Sequence, residues 1–245
     1  MNPSKVALVT GAARRIGAGI TRELHAAGWN VLIHYRGSAE EAKALAAELE
    51  ALRPQSTQVL QADLADADAL VKLAQQAHAS WGRLDALVNN ASVYYPTPFG
   101  QISAAQFDDL AASNLRAPLL LTQACAALMH DGAAVVNIVD ALARRPARGF
   151  TAYHAAKSGL WTLTEAMALE LAPRIRVNGV SPGHMLWPEY GEMSEEEQQR
   201  ELSRIPLGRL GGAQEIARCV RFLLSEDAAY MTGAVLPVDG GIQLK

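Results

Sequence analysis

The stretch KVALVTGAARRIGAGI, residues 5–20, changes its period halfway through. Lys5–Thr10 is a short apolar run of the kind that forms a buried strand, whereas from Ile16 onward the apolar residues return at helical spacing. Gly11 and Gly17 fall between and just inside these two patterns. A glycine turn joining a strand to a helix leaves backbone N–H groups of the first helical turn free to bind an anion. Gly11 permits the tight turn, and Gly17 lets the helix start approach a ligand closely. The common form of this turn, TGxxxGxG, would have glycine at position 15, where this chain has Arg15.

The same alternation continues along the chain. Strands are expected at Lys5–Thr10, Asn30–Tyr35, Thr57–Gln61, Ala86–Asn89, Ala134–Ile138, Arg174–Val180 and Ala234–Val238. Helical patterns run over Ile16–Ala27, Ala39–Leu52, Ala65–Ser80, Ala104–Asn114, Pro118–Met129, Ala152–Leu171 and Ala213–Leu224. Gly28, Pro54 and Gly82 close the first three helices as C-terminal breakers do. This order makes an α/β fold, a parallel sheet with helices on both faces. At 245 residues the chain has room for one large core, and residues 1–245 read as a single domain. The irregular insert is SPGHMLWPEYGEMSEEEQQRELSRIPLG, 181–208. Ligands of such sheets lie beyond the carboxyl ends of the strands, so the insert is a candidate substrate lid. Glu195–Arg200 equally fits a solvated acidic helix, a reading that suits Met185–Trp187 less well.

Half of the residues are hydrophobic and 19% are charged, with a net charge of -3. No basic excess favours nucleic acid or an anionic membrane surface, so the expected partner is a small molecule. Cys125 and Cys219 each lie in an apolar helical pattern, which suits buried thiols better than a disulfide or a metal site. No run approaches a membrane span and the N-terminus carries no signal-like apolar segment, so a cytoplasmic protein is expected.

The second strand ends in VLIHYRGS with no acid to grip a ribose 2′-hydroxyl. Arg36, Arg14 and the helix-start hydroxyl of Ser38 are suited to a 2′-phosphate instead, which points to NADPH rather than NADH. Both arginines being merely solvated is the alternative. Asp63, after the third strand, either accepts from an adenine amino group or caps a helix. The other expected coenzyme contacts are Arg15, Ile16, His34, Tyr35, Leu64, Pro182, Gly183 and the strand-end residues Asn90, Ala91 and Ser92 of LVNNAS.

Tyr153 and Lys157 stand four apart in a helical pattern and share a face. An ammonium near a phenol favours phenolate, so the tyrosine pKa is expected to fall toward neutrality and make Tyr153 a proton donor and acceptor. No Ser or Thr occurs between Thr122 and Thr151, and Asp140 follows the fifth strand.

The glycine turn, NNAS, Asn114 in SNLRAP, the Tyr–Lys pair, RVNGVSPG and PVDGG together resemble the short-chain dehydrogenase/reductase family over essentially the whole chain. The resemblance implies a seven-stranded doubly wound Rossmann-type sheet, a homotetramer, and roles for Tyr153 as proton donor, Lys157 at the nicotinamide ribose, and Asn114 in a water relay. The family's serine, which hydrogen-bonds a substrate carbonyl, is missing. Asp140 in its place would repel a developing alkoxide, and a carboxyl group suits the N–H edge of a heterocycle better. Arg15, HYRGSAEEA, NNASVYYPTP and NIVDA resemble the pteridine reductases within that family. This implies NADPH-dependent reduction of a pterin C=N bond, with the pterin stacked on Tyr94 and contacted by Ser92, Arg15, Asp140 and Tyr153. A turn packed by YPTP would also account for Tyr94 and Tyr95. Trp187 and His184 either line the substrate pocket or simply pack. The carboxamide contact, lacking a threonine in PGHMLWP, is expected from backbone at His184 or Met185. A carbonyl reductase, such as a 3-oxoacyl-carrier-protein reductase, is the enzymatic alternative; a non-catalytic NADP(H)-binding scaffold is the other. An inactive enzyme, or Asp140 capping the strand end, is the alternative to a catalytic carboxyl.

Overall fold

The computed structural model describes residues 4–187 and 193–244. Seven strands form one parallel sheet: β1 (Val6–Val9), β2 (Asn30–Tyr35), β3 (Thr57–Gln61), β4 (Ala86–Asn89), β5 (Ala133–Ile138), β6 (Ile175–Pro182) and β7 (Val235–Val238). Their order is β3-β2-β1-β4-β5-β6-β7. The helices are α1 (Arg15–Ala26), α2 (Ala39–Leu52), α3 (Ala67–Ala79), α4 (Ala104–Ala111), α5 (Ala117–Ala126), α6 (Thr151–Leu171), α7 (Glu195–Ser203) and α8 (Ala213–Leu223).

Alternate residues of a strand point to opposite faces, and a sheet covered on both sides needs apolar residues at every position. In β1, Ala7 and Val9 join the core beneath α1, α2 and α8, while Val6 and Leu8 join the core with α3, α5 and α6. The strand order reverses at β1, which pairs with β2 on one side and β4 on the other. The connections leaving β1 and β4 diverge there and open a crevice at the carboxyl ends.

Several boundaries differ from expectation for local reasons. β6 extends past Val180 because Ser181 and Pro182 align with Pro237 and Val238 of β7. α3 starts at Ala67 because the Asp66 carboxylate caps it, accepting from the Asp68 amide. α5 ends at Ala126, where the Leu128 and Met129 amides both turn onto the Cys125 carbonyl. The expected break between the fourth and fifth helices is absent. Instead, a wide turn over Ala112–Arg116 carries α4 straight into α5, the Ala117 amide bonding back to the Ala112 carbonyl. Pro118 has no N–H to give the carbonyl four residues earlier, and the Asn114 side-chain Nδ2 donates to the Leu110 carbonyl, so wide-turn geometry is locally accommodated.

Within the insert, α7 is closed by a Ser194–Glu197 capping box and buries none of its residues, as a solvated acidic helix should. Residues 188–192 lie outside the described residues. No helix among the described residues is long and apolar enough to cross a membrane.

Candidate active site

The glycine turn is held by bonds that leave its helix end open. Gly11 adopts φ +60°, and a Cβ on Gly17 would lie 2.1 Å from the Gly11 carbonyl oxygen. α1 has no acid in its first turn and no side-chain cap, so its first amides face the crevice without a protein anion. From β4, the Asn90 amide side chain donates to the Thr10 and Gly11 carbonyls at 2.9 and 3.1 Å. The Thr10 hydroxyl accepts from the Asn90 and Ala91 amides.

A cavity of about 490 Å³ opens here, lined by Gly11, Ala13 to Gly17, His34 to Ser38, Asp63 to Ala65 and Asn90 to Val93. It gathers the expected coenzyme residues of the first half of the chain. Pro182 and Gly183 do not line it: a Cβ on Gly183 would meet the Asp239 backbone at 2.7 Å, and its amide bonds to Val238. Three details correct the expected contacts. Glu41, from the first turn of α2, stands 3.7 Å from the Arg14 guanidinium, so an acid does approach the arginine pair. Asp63 accepts from the Ala65 amide at 2.9 Å, while the helix-capping role belongs to Asp66. His34 lines the cavity, but both ring nitrogens are committed to the protein.

Arg15, at the position where glycine is usual, holds a left-handed φ of +53°. Its guanidinium donates to the Trp187 carbonyl at 3.1 Å, bridging the turn to the insert. Trp187 thus offers its backbone to the arginine. The His184 carbonyl accepts from the Gly211 amide, its ring faces Glu201 at 3.7 Å, and Met185 is buried in the core.

The Tyr153 phenol donates to Asp140 Oδ2 at 2.9 Å, while Asp140 Oδ1 accepts from the Leu142 amide at 2.7 Å. One carboxylate therefore both closes the end of β5 and holds the tyrosine. Lys157, 2% exposed, donates to the Ile138 carbonyl at 2.9 Å, and its ammonium lies 5.9 Å from the Tyr153 ring centre. The expected fall of the tyrosine pKa is not what this arrangement produces. Burial and the adjacent Asp140 carboxylate push it well above its ordinary value, the Ser92 hydroxyl opposing them. Burial pushes Lys157 down to about 8, against the pull of Asp140. For the tyrosine, burial is the larger cause, and the carboxylate adds to it because it is in direct contact with the phenol while the ammonium is not. Asn114 is fully buried, with Oδ1 accepting from the Ser92 hydroxyl at 2.7 Å and Nδ2 donating to the Val93 and Leu110 carbonyls.

Tyr94 stacks on Phe150 at 4.7 Å with 5° between the planes, and meets Tyr153 edge-on at 4.8 Å. Its neighbour Tyr95 turns away to Asp109 and Gln106. Phe150 and His154 were not legible as site residues. His154 accepts from the Ala147 amide and packs edge-on against Tyr153, but neither residue belongs to a motif spacing.

Parallel strands in this order, an open glycine turn and, outside the lining of the cavity beside that turn, a buried Tyr–Lys pair fit a nicotinamide-dependent oxidoreductase. The chain belongs to the short-chain dehydrogenase/reductase family; residues 11–243 match the family described as enoyl-(acyl carrier protein) reductase. It is 40% identical to pteridine reductase 1 of Leishmania tarentolae over 280 residues, covering 98% of this chain and 96% of that one. It is 35% identical to a 3-oxoacyl-(acyl-carrier-protein) reductase of Staphylococcus aureus over 247 residues and the whole of both chains. An uncharacterized oxidoreductase of Mycobacterium tuberculosis is 36% identical over 97% of this chain and 92% of its own.

Proposed function

We propose that the protein is an NADPH-dependent pteridine reductase that adds hydride to the C=N bond of a 7,8-dihydropterin or a dihydrofolate. The observation that carries this reading is Asp140 held 2.9 Å from the Tyr153 phenol. A carbonyl reductase needs a neutral donor there to stabilise an alkoxide, whereas a carboxyl group is matched to the N–H groups and ring nitrogens of a heterocycle. The likeness to the Leishmania enzyme supports the same substrate class.

The coenzyme supplies the hydride. The uncapped amides of α1 and the space kept by Gly17 suit its pyrophosphate, and Arg14, Arg36 and Ser38 suit a 2′-phosphate. Lys157, protonated at neutral pH, is the cation for the nicotinamide ribose. Tyr153 keeps its proton in the resting protein, so it is poised to donate. Asp140 accepts from the phenol and presents a carboxylate to the reacting edge, Ser92 keeps the other side of the phenol, and Asn114 fixes Ser92. The Tyr94 face away from Phe150 is the platform for the flat pterin. Arg15 is assigned to pterin and phosphate together, and Trp187, whose carbonyl accepts from Arg15, to the substrate side. A cytoplasmic homotetramer belongs to the same reading; exposed Phe107 and Leu169, on α4 and α6, are apolar surface that such an assembly would cover.

The full-length match to a 3-oxoacyl-(acyl-carrier-protein) reductase favours the alternative of a carbonyl reductase. NADPH oxidation, measured with a panel of dihydropterins, dihydrofolate and a β-ketoacyl substrate, separates the two. The pteridine reading expects turnover of dihydropterins and a larger loss of turnover than of NADPH binding in Asp140→Ser. Consumption of the β-ketoacyl substrate alone would defeat it.

A further inference from the structure

His34, near the carboxyl end of β2, is among the residues that line the crevice. It is 1% exposed, in β2 between β1 and β3. Its Nδ1 accepts from the Gly11 amide at 3.1 Å. A neutral imidazole that accepts at Nδ1 carries its proton on Nε2, and Nε2 lies 3.2 Å from the Ala62 carbonyl, the acceptor such a proton requires. The His34 carbonyl accepts from the Ala12 amide at 2.9 Å. One residue thus grips the glycine turn twice and ties it to the residue preceding Asp63. The ring has no nitrogen left for a ligand, and burial, which outweighs the Ala62 carbonyl and Asp63, pushes its pKa down to about 4 and keeps it neutral in ordinary buffers.

We propose that His34 is a positioning residue for the coenzyme: a strut that fixes the distance between the pyrophosphate-binding turn and the adenine-side loop, without touching the ligand itself. The inference rests on the coenzyme site proposed above. It assigns to this residue an effect on the dinucleotide and none on the reducible substrate, which meets Tyr94, Asp140 and Tyr153 beyond the other end of the crevice. The geometry demands an acceptor near Cγ and a donor at the far side of the ring. Phenylalanine keeps the shape and offers neither. Asparagine restores the acceptor toward Gly11 but does not reach Ala62, and glutamine reaches toward Ala62 while abandoning Gly11.

The test is fluorescence titration of the purified enzyme with NADPH and with NADH, alongside steady-state kinetics and melting curves. His34→Phe is expected to weaken binding of the preferred coenzyme at least tenfold. Its kcat at saturating coenzyme should stay within twofold of wild type, with the KM for the reducible substrate unchanged. His34→Asn should return binding to within about threefold of wild type and should bind more tightly than His34→Gln. If His34→Phe fails to fold, the order of the asparagine and glutamine variants decides, and a reversed or equal order overturns the strut. So does an unaltered Kd in His34→Phe, or a fall in kcat without change in Kd. An asparagine variant that regains its melting temperature but not its coenzyme affinity overturns it as well. Wild-type protein binding neither coenzyme would bring down the site reading and the strut together, an outcome distinct from a wild type that binds and a variant that is indifferent.

Discussion

Lys157 and Tyr153 respond to burial in opposite senses, and this makes the catalytic pair testable by pH. Burial disfavours the charged form of each, holding the tyrosine protonated and bringing the lysine down to about 8. The ammonium is present below that value and is lost as pH rises through it. Turnover that depends on the cation should therefore decline above about pH 8, measured as kcat/KM for the coenzyme. Stability should move the other way. Between the folded value near 8 and the ordinary lysine value near 10.4 the unfolded chain binds more protons, so this residue's contribution to unfolding free energy rises with pH there. Activity lost in step with unfolding would refute the assignment. The pair itself was legible because four-residue spacing on a helix brings two side chains to one face. The direction of the tyrosine shift was not, because it depends first on burial and then on Asp140, thirteen positions away, being in contact when the ammonium is not.

At the scale of elements, the strands and helices followed from hydrophobic period because the five inner strands are buried on both faces and most of the helices on one, while the edge strands β3 and β7 are only partly covered. The wide turn over Ala112–Arg116 did not, since an added residue in a helix leaves the apolar pattern almost intact. The conformation of Arg15 was half legible. The missing glycine marked the position, and the cost lies in the backbone: a left-handed arginine is strained by roughly 1 kcal/mol. Arg15→Gly should relieve that strain while removing the bond to the Trp187 carbonyl. The expected outcome is a melting temperature unchanged or raised by up to about 4 °C, with a higher KM for the reducible substrate. A lowered melting temperature would show that the arginine's contacts outweigh its strain.

At the scale of the whole molecule, the amino ends of the strands are fastened by a charge cluster remote from the crevice. Asp85, 4% exposed, accepts from Arg83 at 2.5 and 2.8 Å, from the Val6 amide at 2.7 Å and pairs with His130 at 2.6 Å. Burial alone would raise the Asp85 pKa, but these partners together pull it below the usual carboxylate value. The Asp131 carbonyl and Asp85 raise that of His130. The aspartate's contribution is full above an ordinary carboxylate pKa of about 3.9 and is lost as pH falls through its folded value. The histidine's is full below about 6.5 and is lost as pH rises through its own. The cluster should thus stabilise most between about pH 4 and 6.5. Asp85→Asn should cost roughly 2 kcal/mol in chemical denaturation and flatten that pH dependence; an unchanged profile would exclude the cluster as its source.

The approach of α8 to α1, where a Cβ on Gly19 would come within 2.7 Å of the Ala213 Cβ, bears on how the chain is made. Ile20 and Leu24 of α1 share a core with Ile216, Val220 and Leu223, which follow them far along the chain. The apolar flank of the first helix therefore waits, while all the intervening strands and helices are made, for its partner. Such long-range closure is slow and leaves the early chain exposed to misassociation. A chain cut before residue 213 would lose order first beneath the glycine turn, far in sequence from the cut.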